Sequence, residues 1–207
     1  MSPKDFDEAN RTGWVKFARV YSNVISPPTM FATLGIAAAM HERPGWTGFA
    51  WGFGSGVMVS LVPILFVLYL LYTGRIAELH MSNTKERLMP YLSAILCVSI
   101  MLGVTWWWQG PDLLFGVLVF NLIELIALML ITLYWLISMH TTAAMATAVW
   151  VFLIWGTFWG IVIGLSLILS VSYVRLFLRR HTMAQVLAGL ALGAITVLVL
   201  VPFGLTS

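Results

Sequence analysis

Residues 174–189 read VRLFLRRHTMAQVLAG. Apolar sequence precedes this stretch and follows it almost to the C-terminus. Arg175, Arg179, Arg180 and His181 therefore stand between two runs that are each greasy enough to enter a bilayer. A hydrocarbon core of ~30 Å needs about 20 residues of apolar helix. Cations between two such runs belong at a membrane–water boundary, where long side chains keep their charge in water.

The rest of the chain agrees. Of 207 residues, 60% are hydrophobic and 9% charged. A soluble domain carries about 25% charged residues, so lipid is the natural solvent here. The net charge of +3 arises from few groups, so their placement matters more than their sum. No soluble basic face exists to carry nucleic acid. The single cysteine, Cys97, offers neither a disulfide nor a metal pair. The polar first residues, MSPKDFDEANRTGWVKFA, do not read as a secretory signal.

Seven runs have the composition of spans: Val20–Met40, Gly45–Thr73, Met89–Trp108, Leu113–Ser138, Thr141–Gly156, Phe158–Val174 and Thr182–Leu205. Pro27-Pro28 makes the first the weakest. The expected fold is all-α, a polytopic bundle of six to seven transmembrane helices. Residues 1–19 form an amphipathic interfacial segment, with Trp14, Phe17 and Val20 at helical spacing, and residues 20–207 form the bundle. Gly52/Gly56 and Gly189/Gly193 have the four-residue spacing that lets membrane helices approach closely. Trp106–Trp108 fit an interfacial aromatic belt.

Connections between spans alternate sides. Residues 74–90, 137–140 and 175–185 then share one membrane face. Three of the four histidines, His80, His140 and His181, fall in those clusters, as do Arg75, Lys85, Arg87, Arg175, Arg179 and Arg180. Two explanations stand. Surplus Lys and Arg on one face follow the positive-inside rule, which places this face in the cytoplasm. Converging arginines and histidines also suit an anion site, because guanidinium forks bind phosphate oxygens and imidazole titrates near neutrality. Only the second accounts for the histidines. Glu124, near the middle of the fourth run with Asn121 three residues earlier, admits a functional or a helix-packing role.

These residues resemble the type 2 phosphatidic acid phosphatase and vanadium haloperoxidase superfamily. Its three motifs are Lys-x6-Arg-Pro, Pro-Ser-Gly-His and Ser-Arg-x5-His-x3-Asp. Arg175-x5-His181 keeps the third spacing, Ser138-x-His140 the second, and His80-x6-Arg87 occupies the first. The resemblance covers about residues 74–193. The sequence departs from the motifs at His80 for lysine, Leu88 for proline, Ile137 and Met139 for Pro and Gly, Val174 for serine, and Gln185 for aspartate.

The resemblance implies a phosphatase-like helical core and a lipid phosphate or diphosphate substrate in the bilayer. His181 would be the nucleophile and His140 the acid and base. Gln185 would orient His181 through its Nδ1–H. His80, Arg87, Ser138 and Arg175 would bind phosphate. No metal or cofactor is implied. Activity relying on a protonated His80 should weaken above pH ~6.5. Arg179 and Arg180 are expected to be surface cations that attract anionic headgroups. The departures motivate an alternative from a different class: a catalytically silent bundle of this fold, partnered by a second copy or a larger membrane complex. The location expected for either is the cell membrane.

Overall fold

The computed structural model describes residues 3–5, 11–76 and 84–205, except the side chains of Thr84 and Lys85. His80 lies outside the described residues. Every regular element among those described is helical. Five helices are long and apolar enough to cross a membrane, or six if one broken pair counts as a single span. The protein is a multi-pass membrane protein.

The broken pair is the first expected span. It consists of α1 (Gly13–Val24) and α2 (Pro27–Glu42). The residue before a proline is pushed out of helical conformation, whereas a proline at the first helical position is well placed. The chain therefore breaks at residues 25–26 and restarts at Pro27. Thr29 covers the break: its hydroxyl donates to the carbonyls of Val24 at 2.5 Å and Ser26 at 2.8 Å. Helix α1 also runs past the expected segment boundary at residue 19.

The next spans are α3 (Trp46–Tyr72), α4 (Leu88–Trp107) and α5 (Asp112–Thr132). Helix α5 ends six residues before the expected Ser138. Residues 135–138 are not helical, and Ser138 adopts the extended backbone that caps the helix that follows. That helix is α6 (Met139–Trp155), apolar but only 17 residues long. The last two are α7 (Thr157–Phe177) and α8 (Met183–Leu198).

The chain divides into two compact units. The first holds residues 1–30 and 137–199, and the second holds 31–136 and 200–207.

In the first unit α6 and α8 lie in close backbone contact. A Cβ on Gly189 would collide with Thr141 Oγ1 and the Ser138 carbonyl, and one on Gly193 with the Thr142 carbonyl. The expected glycine pair thus sets the approach. The threonines facing it do not strand their hydroxyls: Thr141 donates to the carbonyls of Ser138 and Val186, and Thr142 to Ser138. Helix α7 carries a π turn, Gly160–Leu165, and Gly164 there meets Ala148 of α6. Helix α1 packs on α7 through Ala18, Val174 and Leu178.

The second unit repeats the device. Gly52 of α3 lies against the backbone of Ile36, and Gly56 against Ala32; Gly48, one turn earlier, meets the carbonyls of Ala39 and Arg43. A π turn, Val57–Leu61, follows within α3. Ala39, Val98, Met101, Leu114 and Leu118 form its buried core. The Glu42 carboxylate caps α5 by accepting from the Asp112 and Leu113 N–H groups at 2.9 and 2.7 Å. Arg43 beside it donates to the Gln109 and Gly110 carbonyls. Trp106, Trp107 and Trp108 remain exposed at the end of α4.

Candidate anion site

The polar centre of the first unit is assembled at the ends of its helices. Arg175 lies in the last turn of α7, where a cation complements the helix dipole. His140 lies in the first turn of α6. His181 occupies the turn between α7 and α8, which is made possible by Arg179 in left-handed conformation at φ 54°.

Arg175 is only 6% exposed. One guanidinium nitrogen donates to Ser22 Oγ at 2.9 Å. Another lies 3.1 Å from His181 Nε2. Arginine only donates, so this nitrogen of His181 carries a lone pair and the ring proton sits on Nδ1. His140 Nε2 lies 3.1 Å from the Ser22 carbonyl oxygen. A carbonyl only accepts, so His140 carries its proton on Nε2. Ser22 thus joins a fixed cation to an imidazole with an Nε2 proton, and the cation in turn meets an imidazole with an Nε2 lone pair.

The environment acts on His140. Part of its surface stays exposed, yet burial pushes its pKa well below the ordinary histidine value. The positive charge of Arg175 pushes the same way, and the bond to the Ser22 carbonyl opposes them. His140 is therefore neutral at pH 7 and able to exchange a proton with a strong base such as an alkoxide.

Two other expected site residues have different work in this structure. Gln185 does not hold His181. It is the third residue of α8 in a capping box: its side-chain oxygen accepts from the Thr182 N–H at 2.9 Å, while Thr182 Oγ1 accepts from the Gln185 N–H. The helix start leaves these N–H groups without intrahelical partners, and Thr-x-x-Gln satisfies them. Ser138 is completely buried and caps α6 through Oγ to the Thr141 N–H. Its own N–H donates to the Gln185 carbonyl, which ties the starts of α6 and α8 together.

Arg180 is not the surface cation expected. Its side chain is 7% exposed and pairs with the buried carboxylate of Asp5. Lys4 adds a backbone bond to the Leu178 carbonyl and places its ammonium 3.9 Å from the Phe177 ring centre. The start of the chain is strapped to the 177–180 turn. Arg179 is exposed, as expected.

Arg87 belongs to the second unit, where it precedes α4. Burial lowers its pKa, with Tyr91 one turn away opposing the shift, but a guanidinium stays charged at any physiological pH. Two open clefts lie in the second unit as well. The larger, about 800 Å³, is lined by Arg43, Trp106, Trp107, Gln109 and Asp112 among others, and no histidine. Neither cleft has the convergence of titratable groups found around Ser22. Among the described residues no cluster of His, Cys, Asp or Glu has the makings of a metal site.

Sequence reasoning missed Ser22 and Asp5. A signal for Ser22 was present: Ala18 and Ser22 are the small residues on the face of α1 opposite Phe17 and Val24. No protein-family model, curated protein or solved structure matches this chain.

Proposed function

We propose that the chain is an integral-membrane phosphohydrolase that removes phosphate from a lipid phosphate or diphosphate in the cell membrane, through a phosphohistidine. The observation that carries this reading is the Arg175 guanidinium lying between His181 Nε2 and the serine that also engages His140. The chemistry follows from the atoms. Phosphate oxygens bind Arg175, which stabilises the charge that gathers on them in the transition state. The His181 Nε2 lone pair attacks phosphorus, and the bond to the lipid oxygen breaks. The departing alkoxide takes the His140 Nε2 proton, which leaves His140 as a transient imidazolate. Water then attacks phosphorus, gives its proton to His140, and displaces His181 with its lone pair restored.

The capping roles of Gln185 and Ser138 favour a second reading, a catalytically silent bundle that serves as a subunit of a membrane complex. Phosphate release from a panel of lipid phosphates by the purified protein separates the two. The expected result is turnover by wild type, none by His181→Ala, and acid-labile phosphate on His181 during turnover. Equal turnover by His181→Ala would remove the mechanism. Absence of turnover on every lipid phosphate favours the silent subunit.

A further inference from the structure

Ser22 presents two oxygens to the groups that the phosphohydrolase reading assigns to phosphate. Its hydroxyl accepts from Arg175, and its carbonyl faces His140 Nε2. That carbonyl is available for a reason written in the sequence. In an uninterrupted helix it would accept from the N–H of residue 26. Pro27 breaks the helix there, and the Ser26 N–H turns to Thr29 Oγ1 instead. The last turn of α1 thus points a helix C-terminus, equivalent to roughly half a negative charge, at a buried arginine and a histidine. Hydroxyl, carbonyl and dipole together imitate an oxyanion.

The same arrangement holds the nucleophile back. His181 Nε2 lies against Arg175, so its lone pair points at a donor and not into an open site. A phosphate that draws the guanidinium to its own oxygens releases that lone pair. Charged oxyanion acceptors outcompete a neutral hydroxyl and imidazole for an arginine.

The segment before helix α1 is strapped to the 177–180 turn through Asp5 and Arg180, and the helix itself depends on its neighbours. It has 12 residues, too few to be stable without packing. Its inner face rests on α7 through Ala18 and the bond from Tyr21 Oη to Ser170 Oγ at 2.6 Å. Its outer face shows Trp14, Phe17, Val20 and Val24, each more than half exposed. An amphipathic helix of this kind has a second resting place in the lipid headgroup region.

We propose that α1 is an autoinhibitory lid and that Ser22 is its built-in substitute for phosphate, displaced when a phosphate headgroup arrives. The proposal rests on the phosphohydrolase reading of the Arg175 site. It takes the ligand to be a tetrahedral oxyanion.

The test uses the full-length protein in lipid nanodiscs and tungstate, an inert tetrahedral dianion, as the probe. Calorimetry on wild type, Ser22→Ala and Arg175→Ala measures affinity. Ser22→Ala should bind tungstate roughly tenfold more tightly, since a competing hydrogen bond to a charged group has been removed. A second measurement leaves Ser22 in place. Ala18→Cys, at a buried position and in a Cys97→Ser background, should react faster with a water-soluble maleimide when tungstate is added. Unchanged or weaker binding by Ser22→Ala overturns the lid, and so does a labelling rate that tungstate leaves unchanged. Arg175→Ala keeps the two failures apart. If it binds tungstate as wild type does, the phosphate reading itself falls. If it loses binding while Ser22→Ala matches wild type, only the lid falls.

Discussion

The two units pack their helices by the same means and treat buried polarity in opposite ways. In each, glycines on one helix admit the backbone of another: Gly189 and Gly193 in the first, Gly48, Gly52 and Gly56 in the second. In each, a span with a π turn follows a shorter helix, α7 after α6 and α3 after α2. The first unit then buries Arg175 at helix ends, bonded to Ser22 and His181. The second buries Glu124 in the middle of α5, 1% exposed, with Oε2 making no hydrogen bond. Small-residue packing is therefore a general scaffold. The units differ in where the polar groups sit, at helix ends where loops converge or inside a span. A carboxyl inside a span is costly and marks a role by default.

The largest expected effect breaks the shared scaffold. Gly193→Leu drives a side chain into the Thr142 carbonyl, which is backbone and cannot swing aside. Overpacking costs about 1–3 kcal/mol where neighbours yield, and more where they do not. The expected outcome is loss of folded protein on size-exclusion chromatography in detergent. Gly54→Leu, in open space on α3, is the matched control and should elute normally. Equal behaviour of the two would show that close approach does not hold α6 to α8.

The second prediction concerns the first unit's polar centre. The pKa of His140 is lowered in the folded state, chiefly by burial and next by Arg175. Between its folded pKa and the unfolded value near 6.5, the unfolded chain binds more protons. Stability then rises with pH in that window and is lost as pH falls below about 6.5. One group gives a slope of at most about 1.4 kcal/mol per pH unit. Thermal unfolding of wild type and His140→Gln between pH ~7.5 and ~5, on either side of the unfolded value, should show a steeper loss for wild type. Parallel curves would mean that the His140 environment does not penalise its charge.

Much of the scaffold was legible in the sequence, because apolar runs report spans directly and glycine spacing reports close approach. The end of α5 was not, since Leu133, Ile137 and their neighbours are apolar yet lie outside any helix. The chain leaves the helix after Thr132 and reaches extended backbone at Ser138 to cap the next one, which hydropathy does not see. Gln185 was legible in a different way. Thr182-x-x-Gln185 is a capping-box pattern, and reading Gln185 only by its distance from His181 hid it. The contacts that Arg180 and Ser22 make were beyond reach. Their partners, Asp5 and Arg175, lie 175 and 153 residues away in sequence, and only the docking of the N-terminal segment joins them.

The smallest expected effect tests the second unit. Glu124 and Met are similar in length, and Glu124→Met fills the same space without an oxygen in need of a partner. A buried polar atom that lacks a hydrogen bond costs about 1–3 kcal/mol, whereas removing it costs little. If Glu124 is a packing residue, Glu124→Met should raise stability by about 1 kcal/mol, read as a higher unfolding midpoint in detergent. The comparison sharpens when activity is read on the same sample. The bond pattern around Arg175 makes the first unit's polar groups mutually dependent, so Arg175→Met should lower both stability and phosphate release. Glu124→Met should separate the two readouts. Gained stability with unchanged turnover makes Glu124 a packing residue of α5. Gained stability with lost turnover makes it a functional group kept at a cost to the fold.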